Sequence, residues 1–384
     1  MPALADHLHC TGCAACRSVC PRGCISLSED AEGFLHPVIS GTACVECGLC
    51  ERACPVLHPL PLSVPQRVYA AWSTDEAVRT HSSSGGLFFE LGREMMGRGG
   101  VVCGAVMDGD GVHHLCTDSL AGLEAMRGSK YVQSDPGNVY AEVGSYLKAG
   151  RSVLFSGTPC QVAALRAGLG NADTTLLYTV DLVCHGVPSP ALFRRYMDGL
   201  RRKYGDFRVS DFRFRSTGDW VLKSQIGKEQ IPYRDDAFLQ MYLGGVLHRE
   251  SCYRCPFARR ERVGDLTLGD FWGIGQESAF DGDPGRGCSL VLVNTEKGRS
   301  LWSASEPRLF FRERSLAEAC RQNENISAPS SRPRVREGIY TRIFRDGLRP
   351  EYRRFRFRRF CKETFIFLHH QLHLLKVSVC RKSV

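Results

Sequence analysis

Regular apolar spacing begins only part-way along this chain, near residue 66. Residues 1–58 hold no long periodic apolar segment. The stretch "HPLPLSVPQ" then packs three prolines into nine residues, so residues 59–66 read as a linker, since proline neither continues a helix nor donates to a ladder. From residue 67 onward, short apolar runs alternate with helical patterns. "RVYAAWS" and "GVVCGAVM" have the length of buried strands, and between them Leu87, Phe88, Leu91 and Met95 recur at helical spacing. "SVLFSG" and "TLLYTVDLVCHG" predict two more strands, with helices over residues 159–168 and 188–204. Residues 206–231 alternate like antiparallel strands, and "GDLTLGDFWG" and "CSLVLVNTEKG" predict later ones. The expected fold class is α/β: a small α+β domain over residues 1–58, the linker, a larger mixed α/β domain over 67–331, and a tail over 332–384.

Composition narrows the class. A 384-residue chain with 43% hydrophobic and 24% charged residues has the make-up of a globular protein with a sizeable core, not of a disordered one. No run of 18 apolar residues marks a membrane span, and "MPALADHLHC" lacks a basic region followed by an apolar one, so a cytoplasmic protein is expected. The net charge of +9 is unevenly placed. Residues 332–384 carry fifteen Lys/Arg against four Asp/Glu, a net of +11 that leaves the preceding 331 residues at −2. In "RPEYRRFRFRRFCKETFIFLHHQLHLLKV" arginine interleaves with phenylalanine, which suits an anionic surface. A helix laying its Phe and Leu on the body or on a partner is the plainer reading. Peripheral membrane contact through the basic tail stays open, and a nucleic-acid partner is not expected.

Nineteen cysteines in a reducing compartment argue for metal or redox chemistry rather than a disulfide scaffold. Cys10, Cys13, Cys16, Cys20 and Pro21 return as Cys44, Cys47, Cys50, Cys54 and Pro55 with identical spacing. A tetrahedral zinc site usually draws two pairs of ligands from either side of a longer loop. Here three thiols arrive at every third residue, and a fourth follows just before a proline. That is the bacterial two-cluster ferredoxin spacing, in which the fourth cysteine of each run serves the other cluster. Cys10, Cys13, Cys16 and Cys54 are therefore expected on one [4Fe-4S] centre, and Cys44, Cys47, Cys50 and Cys20 on a second. The metal then holds together a segment too small to build its own core. Cys24 reads as a small buried side chain. Cys103, Cys116, Cys288, Cys320, Cys361 and Cys380 are assigned no ligand role.

No G-x-G-x-x-G links a strand to a helix, and the phosphate-loop pattern is absent, so a Rossmann-type nucleotide site is not expected. Three other stretches place small residues where anions bind. "SSSGGLFFEL" puts Ser84, Gly85 and Gly86 at a helix start, "MRGSKYVQSDPG" adds Lys130 and Tyr131 to a glycine turn, and "FSGTPCQVAAL" opens a helix with Thr158 and Pro159 at its cap. Singly, each also reads as an ordinary cap or turn.

Taken in order with "DLVCHGVPSP", "SCYRCPF" and "GDLTLGDFWGI", these stretches resemble the coenzyme F-420 hydrogenase/dehydrogenase beta-subunit family over roughly residues 65–305, with the two-cluster ferredoxin segment fused in front. The resemblance implies that the larger domain binds FAD, with Ser84, Gly85, Gly86, Gly128, Ser129, Lys130, Tyr131, Thr158, Pro159 and Gln161 forming its cradle. It also implies a third [4Fe-4S] centre on Cys160, Cys184, Cys252 and Cys255. Cys252 and Cys255 form a C-x2-C pair, and Cys160 and Cys184 each follow a predicted strand, where open α/β sheets place their sites. Two single thiols and a pair would also suit zinc. The function that follows is an iron–sulfur flavoprotein oxidoreductase. It would pass electrons between a ferredoxin-like carrier, the clusters and FAD, with hydride transfer to or from an organic acceptor such as a deazaflavin coenzyme. Lys130, His185 and Asp270 are candidates for reduced-flavin stabilisation and proton handling. The alternative is a non-catalytic electron-transfer subunit of a larger redox complex, and a homo-oligomer is also compatible with the sequence.

Overall fold

The two cysteine runs fold alike because they share one local geometry. In the computed structural model, which describes residues 1–109, 111–216 and 220–357, Ala14 (φ 63°) and Gly48 (φ 70°) both take the left-handed conformation and cap the one-turn helices Ala15–Ser18 and Leu49–Arg52. Between the runs, strands β1 (Ile25–Glu29) and β2 (Leu35–Ile39) pair as an antiparallel hairpin, Ile25 opposite Ile39 and Glu29 opposite Leu35. The segment reading as a linker is clipped to the body, since Ser63 and Arg262 exchange backbone hydrogen bonds at 2.8 Å in both directions. Leu60 and Leu62 pack against the core beside it.

The rest of the chain builds one large mixed sheet from eight strands: β3 (Arg67–Ser73), β4 (Val101–Asp108), β5 (Gly111–Thr117), β6 (Val153–Gly157), β7 (Leu177–Leu182), β11 (Leu266–Asp270), β12 (Ser289–Val293) and β13 (Leu309–Glu313), in the order β13-β3-β12-β11-β7-β6-β4-β5. The four central strands β11, β7, β6 and β4 run parallel, and antiparallel strands flank them on both sides. Alternation along a buried strand sends neighbours to opposite faces. Leu154 joins the core under helices Leu87–Gly97 and Glu296–Ser305, whereas Val153 and Phe155 join the core under Val139–Lys148 and Pro159–Leu169. The alternating stretch 206–231 forms the predicted antiparallel sheet, a small one of β8 (Phe212–Arg213), β9 (Ser224–Ile226) and β10 (Glu229–Ile231).

Two cysteines depart from the sequence reading. Cys103 and Cys116 face each other directly across the β4–β5 ladder, with Cα atoms 4.0 Å apart, and form a disulfide. The reading missed this because "GVHHLCT" does not alternate cleanly enough to predict β5, so nothing placed Cys116 opposite Cys103.

The chain divides into two units, Met1–Arg332 and Pro333–Val384. The second holds the helix Ile339–Asp346, with Arg342 paired to Glu351 at 2.9 Å and Arg354 to Asp346 at 2.8 Å. Residues 358–384, with Cys361, Cys380 and most of the arginine–phenylalanine stretch, lie outside the described residues. Among the described residues no helix is long and apolar enough to cross a membrane.

Candidate redox site

In parallel strands the chain leaves the sheet at one end, and β6 and β7, being neighbours, leave it side by side. Cys160 sits in the first turn of helix Pro159–Leu169 immediately after β6, and Cys184 lies two residues past β7. Cys252 and Cys255 arrive on the 3-10 turn Glu250–Arg254 and the residue after it. All four line one cavity of about 350 Å³, within the range that takes cofactor-sized ligands. Cys13, from the N-terminal segment, lines the same cavity.

The other cysteines of the two runs gather in small cavities of their own. Cys10, Cys13, Cys16 and Cys54 line one, and Cys20, Cys44, Cys47 and Cys50 line another together with Cys24. Cys24 is buried, with its sulfur 3.3 Å from that of Cys20. Geometry bears on the choice between zinc and a cluster. Tetrahedral zinc with Zn–S bonds of 2.3 Å needs sulfurs about 3.8 Å apart. Among the described residues the group of three His, Cys, Asp or Glu ligand atoms within 4.8 Å of one another is His7, Asp30 and His36, and no trio of these sulfurs is as close. As they stand, the sets are too open for a single tetrahedral ion. Burial pushes the Cys13 and Cys16 thiols up to about 12, and those of Cys160, Cys252 and Cys255 up to about 11. Cys184 rises for the same reason. Thiolates at these depths are stable only alongside the positive charge of a bound metal core.

Buried polar contacts hold the loops in place. Arg262 and Asp181, both fully buried, pair at 2.8 Å, and the guanidinium also reaches the carbonyls of Phe257, Arg259 and Leu182. This ties the loop after Cys255 to the end of β7. Thr158 caps its helix reciprocally with Gln161 and lies 3.1 Å from the sulfur of Cys160. Gln161 donates to Ser134 at 2.9 Å, and Ser134 contacts Nδ1 of His114 at 2.9 Å. Burial holds His114 down to about 4.

Residues 150–318 match the family model for the C terminus of the coenzyme F420 hydrogenase/dehydrogenase beta subunit, and residues 9–57 match the 4Fe-4S dicluster domain. Over residues 150–318 the chain carries the C-terminal domain of that family model, behind an iron–sulfur dicluster domain at residues 9–57. The F chain of the F(420)H(2) dehydrogenase of Methanosarcina mazei is 27% identical over 285 residues, covering 70% of this chain and 78% of that protein. A xenon-derivatised structure of the F420-reducing [NiFe] hydrogenase complex from Methanosarcina barkeri aligns with a TM-score of 0.47 and 16% identity, over 69% of this chain and 88% of that one.

Within the beta-subunit domain and the segment before it, the cavity gathers nearly all the residues named from sequence. Ser84, Gly86, Gly128, Ser129, Lys130, Tyr131, Thr158, Pro159, Gln161, His185 and Asp270 all line it. Gly85 does not. Its backbone presses on β3, where a Cβ would come within 2.3 Å of the Ala71 carbonyl, so that glycine serves close packing. Lys130 lines the cavity, but its ammonium donates to the carbonyls of Met126, Arg127 and Gly128 at 2.9–3.1 Å. Burial, and then Arg213, push it down to about 7. Tyr131 is stacked on Tyr242 with ring centroids 4.6 Å apart. Asp270 accepts from Arg215 and from the indole of Trp220. His185 is held below its usual range by burial, against the pull of Asp270. Thr11, Gly12, His114, Gln133 and Ser134 also line the cavity and were not picked out. Gln133 and Ser134 lie within the quoted stretch "MRGSKYVQSDPG", whereas His114 lies on the strand that escaped prediction.

Proposed function

We propose that this protein is an iron–sulfur flavoprotein subunit that exchanges electrons between a ferredoxin-like carrier and a deazaflavin coenzyme of the F420 type. The observation that carries the reading is convergence: Cys160, Cys184, Cys252 and Cys255, Cys13 of the N-terminal segment, and nine of the ten expected cradle residues share the walls of one cavity. The matched family and the M. mazei dehydrogenase chain supply the coenzyme class. When bound, [4Fe-4S] centres supply single-electron steps, and FAD joins these to two-electron chemistry.

The chain's own residues have distinct tasks. Cys10, Cys13, Cys16 and Cys54 would hold the centre beside the cavity, and Cys20, Cys44, Cys47 and Cys50 the outer one. Cys47 is exposed, with Val45 and Leu49 exposed on either side, which supports docking of the carrier at that end. Gly86 and Gly128, both at φ 85°, let the backbone turn along the cavity wall. His185, neutral at pH 7 because burial lowers its pKa, can accept or return a proton at an imidazole nitrogen.

Anaerobic purification should yield FAD and about twelve iron atoms per chain, and protein first reduced with dithionite and freed of excess should bleach oxidised coenzyme F420 as its own centres are reoxidised. A Cys184→Ala variant should lose about four of those irons. Iron without flavin would instead favour the carrier-subunit reading, which has an observation of its own behind it: Lys130 and Tyr131 are already engaged with protein groups.

A further inference from the structure

Arg249 is buried to 2% exposure, and among the described residues no carboxylate lies within ion-pair distance of it. Its guanidinium is instead spread over neutral acceptors. Nε donates to the Cys10 carbonyl at 2.7 Å, Nη1 to the Leu35 carbonyl at 3.0 Å, and Nη2 reaches the imidazole of His36 at 2.8 Å. The Arg249 carbonyl accepts from the Cys252 backbone N–H at 2.9 Å. The residue thus touches the loop of one cysteine set with its side chain and the loop of another with its backbone. Gly12 makes room for this: a Cβ there would stand 3.0 Å from Nη1 and 2.2 Å from the Gln133 amide nitrogen.

A buried cation without a counter-ion costs several kcal/mol. Asp30 compensates it only in part, because the carboxylate meets His36 Nε2 at 3.2 Å and not the guanidinium, which meets the same nitrogen at 2.8 Å. Nor can that trio hold a metal ion of its own, with the guanidinium 2.8 Å from His36 Nε2. Four thiolates around an iron–sulfur cube carry net negative charge, and such charge would stand on both sides of Arg249 when the Cys10 and Cys252 sets are loaded.

We infer that Arg249 is the shared counter-cation of the centre held by Cys10, Cys13, Cys16 and Cys54 and the centre held by Cys160, Cys184, Cys252 and Cys255, and that it raises the reduction potential of both. Its charge favours the more negative, reduced state of each. The Cys44 set is not among its contacts. This inference rests on the proposed third centre.

The test is a potentiometric titration of the anaerobically loaded full chain, followed by electron paramagnetic resonance, with signals assigned through Cys184→Ala and Cys47→Ala variants. In Arg249→Gln the potentials of the Cys10 and Cys252 centres should move to more negative values while that of the Cys44 centre stays in place. Arg249→Lys, which keeps the charge, should remain near wild type. Unchanged potentials in a fully loaded Arg249→Gln protein, or equal shifts of all three centres, would overturn the inference. If Arg249→Gln loses iron, Arg249→Lys decides: retained iron and potentials support a role for charge, and the same loss shows that the forked hydrogen bonds alone matter. Wild-type protein with about eight iron atoms rather than twelve would sink the third centre itself, a result distinct from either.

Discussion

Asp181→Asn removes one charge from the most deeply buried ion pair near the site and, since an amide has one acceptor oxygen where the carboxylate uses two, turns its NH2 against Arg262 or the Gly264 N–H. The wild-type carboxylate accepts from Arg262 Nη2 at 2.8 Å and Nε at 3.3 Å through Oδ1, and from the Gly264 N–H at 2.9 Å through Oδ2. Asparagine preserves the volume but leaves the guanidinium, 1% exposed, without an anion. Breaking one side of a buried pair costs roughly 3–5 kcal/mol. Arg262 keeps its carbonyl partners at Leu182, Arg259 and Phe257, which places the expected loss at the lower end, about 3 kcal/mol. Those carbonyls belong to the loop after Cys255 and to the strand leading to Cys184, so the loss should also appear as iron missing from that set. The assay is urea unfolding of anaerobically prepared wild type and variant, followed by tryptophan fluorescence, with iron analysis alongside. The double variant Asp181→Asn/Arg262→Met should recover much of the loss, because it leaves no unpaired charge. A single variant within about 1 kcal/mol of wild type would refute the reasoning.

Gly12→Ala puts a side chain at φ 66°, which costs about 1 kcal/mol, and drives its Cβ to 2.2 Å from Gln133. A total of about 2–3 kcal/mol is expected in the same unfolding assay, with iron lost from the Cys10 set first. His114 gives a pH signature. Its pKa is about 4 when folded against 6.5 for the free side chain, so the unfolded chain takes up its proton first and stability falls as pH drops below about 6.5. Between pH 7 and 5 the wild type should lose about 2 kcal/mol more than His114→Asn, and parallel pH curves would contradict this. Thr158→Val removes the hydroxyl 3.1 Å from the Cys160 sulfur and should lower the potential of that centre alone, measured by the titration already described.

Spacing made the cysteine chemistry readable and the sheet nearly so. The repeat at Cys10 and Cys44 carries its own geometry, because a left-handed residue followed by a one-turn helix is a local arrangement that neighbouring residues decide. Strands β3, β4, β6, β7, β11 and β12 were legible because parallel or central strands are continuous apolar runs. "LFFRE" and "GVHHLCT" were not, since edge and near-edge strands mix polar residues into the pattern, and with β5 went the Cys103–Cys116 pairing. The cradle stretches were recognisable as caps and turns, but what each side chain does depends on tertiary contacts. Lys130 looked available for an anion and is spent on three carbonyls of its own turn. Arg249 stands two residues before "SCYRCPF" with nothing in that stretch to mark it, and its meaning comes from the residues that folding brings to it, 239 positions away at Cys10.

Those distant contacts also bear on how the N-terminal segment should be understood. A ferredoxin-like module that was simply appended would meet the rest of the protein through exposed, exchangeable polar groups. Here the Tyr140 hydroxyl, buried in the core of the larger part, donates to the Cys13 carbonyl at 3.0 Å, and Gln133 accepts from the Leu35 N–H at 3.1 Å. Arg17 pairs with Asp135 at 2.6 Å and Arg194 with Glu29 at 2.7 Å around the rim. Deleting residues 1–58 would therefore strip Arg249 of its Cys10, Leu35 and His36 partners and leave the Tyr140 hydroxyl without its acceptor. Water would re-solvate these groups, so each hydrogen bond lost costs about 0.5–1.5 kcal/mol net, and about 1.5–3 kcal/mol for those to the charged guanidinium. The larger part should consequently be less stable without the segment, and the same buried hydrogen bonds to the ligand loop's own backbone would hold constant the distance that electrons would cross from the proposed Cys13 centre to the cavity.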